Sequence, residues 1–174
     1  MSDTVFETER LRIRRWRDSD LEPLLAVYGD PEAMKWVDDG KPIAHDECVR
    51  WLGVTRANYE ARGYGMFAVE EKGALGVIGF CGLVHPGGQP EPEVKYAYRR
   101  SHWGRGIATE VVVGLIRFCA REFGIRHLIA TTAPENTASH RVLLKAGLTQ
   151  GLQRQEDDGT LTQIFDWRSA EGQG

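Results

Sequence analysis

Three short stretches of this sequence hold residues whose types and spacing could do chemistry. The first is the turn Trp103-Gly104-Arg105-Gly106-Ile107-Ala108-Thr109. It lies between a strand-like piece, Glu93 to Tyr98, and the longest apolar helical run in the chain, which reaches about Phe123. Two glycines at the mouth of a helix leave backbone N–H groups and the positive end of the helix dipole facing outward, the arrangement that holds phosphate. Glycine also lets a ligand approach the main chain closely. The plain alternative is a flexible strand-to-helix corner. The spacing excludes two nucleotide loops. Thr109 stands where the dinucleotide fingerprint needs its third glycine, and no Lys-Ser/Thr pair follows the glycines as a triphosphate loop requires. A different diphosphate ligand, held by main-chain amides, fits better.

The second stretch is Pro134-Glu135-Asn136-Thr137-Ala138-Ser139. Asn136 is suited to cap the short helix that follows, and it could equally contact a ligand. Ser139 lies one turn on; a serine at such a place commonly bonds a backbone carbonyl. The third feature is Glu93, an acid opening an otherwise apolar and aromatic strand. It reads either as a solvated strand end or as a proton acceptor.

These residues need a scaffold, and the periodicities supply one. Alternation over Thr8–Arg14 predicts a half-exposed strand. Leu21, Leu24, Leu25 and Tyr28 predict a helix, with Pro23 in its first turn. A second helix runs from about His45 to Ala61 with a buried stripe of Cys48, Leu52, Thr55 and Tyr59. Tyr64–Glu70 and Leu75–Val84 are apolar on both faces and belong in the middle of a covered sheet. Gly76, Gly79 and Gly82 in the latter allow close packing or a bulge. The loop Pro86–Pro92 should join strands that pair with each other. Arg126–Ala133 reads as a strand, and Gly147 stops the short helix after it. Leu148–Gln155 and Leu161–Arg168 form a hairpin turned at Asp157-Asp158-Gly159. The result is a single domain over 1–168, an α/β chain (α+β mixed sheet) with helices on both faces of the sheet. Residues 169–174 are expected to be a disordered tail.

With 174 residues the chain can bury a substantial core. Its 22 basic and 25 acidic residues give a formal net charge of −3. That balance argues against nucleic acid or an anionic membrane as the main partner. The one basic cluster, Arg10, Arg12, Arg14, Arg15 and Arg17, alternates with Leu11 and Ile13 and reads as the wet face of an edge strand. Cys48, Cys81 and Cys119 are isolated, the five histidines lack metal-ligand spacing, and no signal peptide or spanning segment is visible. Free buried thiols, a cytoplasmic location and no metal are the expectations.

Glu93-Val94-Lys95-Tyr96-Ala97-Tyr98, followed by Trp103-Gly104-Arg105-Gly106-Ile107-Ala108-Thr109-Glu110, resembles the acetyl-coenzyme A signature of the GCN5-related N-acetyltransferases (GNAT). Pro134 to Ser139, continuing to Leu144-Lys145-Ala146-Gly147-Leu148, is similar to the second signature of their ribosomal-protein-alanine acetyltransferase (RimJ/RimL-like) branch. Glu9 to Arg14 and Asp30 to Met34 are similar to that branch's start. The resemblance implies the GNAT acyl-CoA N-acyltransferase fold, a six- to seven-stranded mixed sheet flanked by about four helices. It implies that the amides of Trp103, Gly104, Arg105, Gly106, Ile107, Ala108 and Thr109 hold the coenzyme pyrophosphate. The strand at Tyr96, Ala97 and Tyr98 would pair with the pantetheine arm, and Asn136 would hydrogen-bond it. Ser139 would protonate the departing thiolate and Glu93 would take the amine's proton. Lys95, Ala97 and Ser101 depart from the family's usual residues. The acceptor implied is a protein N-terminus or a small-molecule amine, and the protein a monomer or homodimer. A non-catalytic acyl-coenzyme A sensor on the same fold is the rival from another class.

Overall fold

The computed structural model describes residues 2–37 and 39–170. In chain order the elements are β1 (Thr4–Glu7), β2 (Leu11–Arg14), α1 (Leu21–Tyr28), α2 (Pro31–Met34), α3 (His45–Arg62), β3 (Met66–Glu71), β4 (Val77–Val84), β5 (Glu93–Tyr98), α4 (Ile107–Phe123), β6 (His127–Thr132), α5 (Thr137–Lys145), β7 (Thr149–Gln155) and β8 (Leu161–Arg168). The eight strands form one sheet in the order β1-β2-β3-β4-β5-β6-β8-β7. Every neighbouring pair is antiparallel except β5 and β6.

Helices cover both faces, as the alternation of elements predicts. One core gathers Leu115, Val111, Val112, Cys119 and Ile107 of α4 with Leu143 of α5 against Phe67, Leu83, Leu128 and Phe165. The other packs Leu24, Val27 and Tyr28 of α1, Met34 of α2, and Cys48 and Leu52 of α3 onto Ala68, Phe80 and Ala97. The buried residues of α3 are Cys48, Leu52, Thr55 and Tyr59, the stripe read from its periodicity. Each fully buried aliphatic side chain of this kind contributes about 1.5–3 kcal/mol of transfer free energy. In β4, a Cβ at Gly82 would lie 2.1 Å from the Gly65 carbonyl oxygen, and one at Gly79 would lie 2.4 Å from that of Ala97. Neighbouring backbone occupies those places, which is why glycine recurs in so apolar a strand.

Several expectations are corrected. The sheet has eight strands rather than six or seven, because Thr4–Glu7 pairs with β2 as an additional edge strand. The strand predicted over Thr8–Arg14 is confined to Leu11–Arg14, since Thr8 to Arg10 form the turn joining it to β1. Of the arginine cluster, Arg12 and Arg14 therefore lie on the second strand while Arg10, Arg15 and Arg17 flank it, and all have partners. Arg14 is 2% exposed and bonds Asp20 at 2.7 Å and Glu70 at 2.8 Å. Arg12 bonds Glu7, Arg17 bonds Asp3, and Arg15 lies 4.9 Å from the Tyr59 ring centroid. A fifth helix, α2, is capped by Asp30, whose side chain accepts from the Glu32 amide. Leu75 stands fully exposed in the turn before β4 instead of within it. All three cysteines are free and buried. Of the expected tail, 171–174 lie outside the described residues. No helix among the described residues is long and apolar enough to cross a membrane.

Candidate functional site

The site forms where the sheet comes apart. β5 pairs with β4 along its whole length, from Val84↔Glu93 to Gly79↔Tyr98. Toward β6 it has a single registered pair, Glu93↔Ile129, secured by the Ile129 amide donating to the Pro92 carbonyl at 3.0 Å. Beyond that pair the two parallel strands diverge into a wedge. Backbone groups alternate between the two edges of a strand. The Pro92 carbonyl faces β6 and the Arg99 amide donates to Ile78 of β4 at 2.8 Å. The regular register between them turns the Ala97 amide and carbonyl toward β4, and those of Tyr96 and Tyr98 toward the wedge. The Tyr98 carbonyl is already taken by the Trp103 indole N–H at 2.9 Å. Tyr96 thus presents both its amide and its carbonyl to an extended ligand, and Tyr98 its amide alone.

The same alternation sorts side chains. Glu93 and Lys95 share the face of α1 and α2, whereas Tyr96 and Tyr98 share that of α4 and α5. Cavities open on both sides of the wedge. A smaller one, of about 190 Å3, is lined by Trp36, Glu93, Lys95, Thr131, Asn136 and Ser139. A larger one, of about 570 Å3, runs from Tyr96 and Ser139 past Trp103 and Gly104 to Ile107 and Thr109. Tyr96, Asn136 and Ser139 line both.

The glycine turn closes the far end of the larger cavity. Gly104 and Gly106 have φ of 71° and 75°, in the left-handed region where a side chain adds strain. Gly106 occupies the N-cap of α4 and supplies no side-chain bond, and none of the amides from Gly104 to Thr109 donates to a described residue. Uncapped amides at the N-terminus of a 17-residue helix suit a pyrophosphate. Glu110, in that first turn, fixes the helix in place. It accepts the Thr8 hydroxyl at 2.6 Å, the Arg10 amide at 2.9 Å and the Arg10 guanidinium at 2.7 Å. Partial burial opposes its charge, but these donors outweigh that and hold its carboxyl below the usual range. The Arg105 side chain turns away from the cavity to Glu71 at 2.5 Å and is not part of its wall.

Asn136 and Ser139 are coupled at the start of α5. Asn136 Oδ1 accepts from the Ser139 amide at 3.3 Å, which is the capping role. Its Nδ2 has no partner among the described residues and belongs to a side chain on the cavity wall. The cap reading of Asn136 thus uses Oδ1 alone and leaves Nδ2 available on the cavity wall. Ser139 Oγ bonds the Tyr96 hydroxyl at 2.9 Å instead of a carbonyl of the preceding turn. Burial pushes the Tyr96 phenol up to about 12, against a smaller opposing pull from Ser139.

Glu93 is no solvated strand end: it is 4% exposed. One carboxylate oxygen accepts the Thr131 hydroxyl and the other the Gln89 amide at 3.2 Å. The loop carrying Gln89 is clasped by His85. Its Nδ1 donates to the Gln89 carbonyl at 2.9 Å, leaving Nε2 to accept from the Tyr64 hydroxyl at 2.8 Å. Sequence reasoning passes over Thr131, Gln89 and the Tyr96 hydroxyl. Thr131 was recoverable, since the parallel register puts Ile129 beside Glu93 and Thr131 on the same face two residues on. Arg141 and Lys145, one helical turn apart on α5, and Lys35 also line the larger cavity and add positive charge to it. No three-residue cluster of metal-binding side chains occurs among the described residues.

Comparison with known proteins agrees with this geometry. A family model described as an acetyltransferase (GNAT) domain matches residues 10–149. The chain is 28% identical over 155 residues to an uncharacterized N-acetyltransferase, YoaA, of Bacillus subtilis, covering 87% of this chain and 86% of that one. Its fold matches an acetyltransferase from Agrobacterium tumefaciens with a TM-score of 0.81 at 22% identity, covering 94% of each chain. It also matches RimL, a ribosomal L7/L12 alpha-N-protein acetyltransferase solved with coenzyme A, with a TM-score of 0.80 at 16% identity, covering 95% of this chain and 97% of that one. With a wedged sheet, an amide cradle at α4 and a matching domain model over most of its length, the chain belongs to the GNAT family of acetyl-CoA-dependent N-acetyltransferases.

Proposed function

We propose that this protein transfers the acetyl group of acetyl-CoA directly to a protein N-terminal α-amine, within one complex of both substrates. The observation that carries the reading is the position of Glu93. It is buried at the last β5–β6 pair and lines a cavity that it shares with Asn136 and Ser139 across the wedge. In this reading the amides of Gly104 to Thr109 hold the pyrophosphate, the Tyr96 main chain pairs with the pantetheine arm, and Asn136 Nδ2 bonds it. The amine enters from the side of Trp36 and Glu93. Holding both reactants in one cleft supplies much of the acceleration. The amine nitrogen attacks the thioester carbonyl, the C–N bond forms, and the C–S bond breaks with the sulfur departing toward Ser139.

The acceptor class follows from how much base the reaction needs. At pH 7.5 an α-amine titrating near ~7.7–8.0 is about one-quarter to two-fifths neutral, whereas a lysine amine near ~10.4 is neutral about once in a thousand molecules. Both oxygens of Glu93 already accept a hydrogen bond, so an incoming amine would have to share a carboxylate that has partners on each side. An acceptor with a sizeable neutral fraction beforehand suits that arrangement. Initial rates of thiol release on peptides that differ only in presenting an α- or an ε-amine test this. The α-amine peptide is expected to react faster by a factor of ten or more at neutral pH. A preference for the ε-amine, or for polyamines or amino sugars over both, would overturn it.

A further inference from the structure

We infer that Tyr96 is a positioning residue for the departing sulfur, working through Ser139 as a two-hydroxyl hydrogen-bond chain that stabilises the thiolate without giving up a proton to it. This rests on the acetyl-transfer reading above and refines it. Ser139 has no hydrogen-bond partner for its hydroxyl among the described residues except Tyr96, 2.9 Å away, and a helical serine ordinarily bonds back to its own preceding turn. The Tyr96 ring is fixed from several sides. It stacks 6.1 Å from Tyr98 and packs against the core beneath α4. Its neighbour Lys95 faces the opposite side of the sheet, so strand register sets which face this phenol takes.

The direction of the bond follows from acidity. A phenol is a stronger acid than an aliphatic alcohol, so Tyr96 donates and Ser139 accepts. Ser139 then has its own hydrogen free for the cavity that both residues line. Bonds in such a chain polarise one another, which makes the terminal donor stronger than a lone serine. The chain is nonetheless a poor proton source. A free thiol titrates near ~8.5, while burial pushes the Tyr96 phenol up to about 12. The proton therefore favours the phenolic oxygen over the sulfur. The balance is simple: the C–S pair leaves on sulfur, two O–H hydrogens point along the chain toward it, and both stay on oxygen. The thiolate takes its proton from water after release. In this inference Ser139 gives the sulfur a hydrogen bond rather than the proton that the resemblance implies.

The test is steady-state kinetics of Tyr96→Phe, Ser139→Ala and the double variant, with thiol release as the signal. Each single substitution should lower kcat about five- to twentyfold and leave KM for acetyl-CoA within about twofold, since neither hydroxyl holds the coenzyme in its ground state. The double variant should be no slower than Ser139→Ala. Multiplicative losses, wild-type turnover by Tyr96→Phe, or a loss confined to KM would overturn the inference. A fluorinated tyrosine at position 96 preserves shape, lowers the phenol pKa and covers the case in which Tyr96→Phe is unstable. Its kcat should fall on an alkaline limb that moves down with that pKa, because a phenolate cannot donate. An unmoved limb overturns the chain. A wild-type protein that releases no thiol with any amine overturns the acetyl-transfer reading as well, whereas normal wild-type turnover with indifferent Tyr96 variants overturns this inference alone.

Discussion

On the proposed reading Asn136 combines two roles on one amide, and two substitutions separate them. Its Oδ1 caps α5 through the Ser139 amide, and its Nδ2 belongs to the cavity wall. Asn136→Ala removes both atoms. Loss of an N-cap costs about 1 kcal/mol, and for a chain of this size that corresponds to a fall in Tm of about 2–4 °C. Asn136→Asp keeps an oxygen at the cap and adds negative charge at a helix N-terminus, which is favourable by about 0.3–1 kcal/mol. Its Tm should equal or exceed that of the wild type. It nevertheless lacks the donor, and a neutral hydrogen bond contributes about 1 kcal/mol. That predicts a loss of about fivefold in kcat/KM for acetyl-CoA in both variants, larger for the aspartate because it brings charge beside a carbonyl-rich ligand. Thermal unfolding without ligand, set beside initial rates over a range of acetyl-CoA concentrations, checks both halves. An aspartate variant with wild-type kinetics would refute the donor role. One as unstable as the alanine variant would refute the cap.

Three further expectations concern the cradle, the base and the helix anchor. Gly106→Ala introduces a side chain at a φ of 75°, and left-handed backbone costs a non-glycine residue about 1–2 kcal/mol. The new Cβ meets nothing closer than the Arg10 guanidinium at 3.5 Å, so the fold should survive while calorimetric affinity for acetyl-CoA drops at least tenfold; an unchanged Kd would remove the turn from the site. Glu93→Gln should lower kcat by about 10²-fold or more, in line with loss of general-base assistance. The deficit should shrink as pH rises through the amine's own pKa, and a deficit independent of pH would argue against proton removal by Glu93. Glu110→Gln should cost about 1–2 kcal/mol in urea unfolding at pH 7, where a charge-assisted cluster is lost. The carboxyl is held below its ordinary value of 4.5, so its contribution is complete above that pH and fades as pH falls through the lower folded value. The gap between the two proteins should therefore close in acid, and a constant gap would mean that packing, not charge, anchors α4.

Much of this site could be read from the sequence because it depends on local patterns. A glycine pair before an apolar helix, an asparagine before a short one and strands with no polar face each announce themselves within a dozen residues. The buried stripe of α3 emerged intact for the same reason. What stayed hidden was long-range. Arg14 reads as one more exposed arginine because Glu70, its ion-pair partner, is 56 positions away on β3. The Tyr96 hydroxyl looks like one aromatic among several until α5 brings Ser139 against it, 43 residues later in the chain. β1 was missed because Thr4–Glu7 has four residues and only a partial alternation to show. The jobs of Tyr96, Ala97 and Tyr98 could be separated only after register revealed which edge each backbone group faces.

The single Glu93↔Ile129 pair also has a bearing on what can be improved in this protein. A sheet of eight strands with an open seam forgoes hydrogen bonds that its own chain could form, since β6 has a complete partner in β8 on its other side. Substitutions that zip β5 onto β6 would close those gaps and raise the melting temperature of the empty protein. They would do so by filling the place an extended ligand needs with the protein's own backbone. Selection for thermal stability alone is thus expected to drift toward an inert molecule. On the proposed reading the ligand serves as the missing strand, so selection in the presence of acetyl-CoA would keep the seam open.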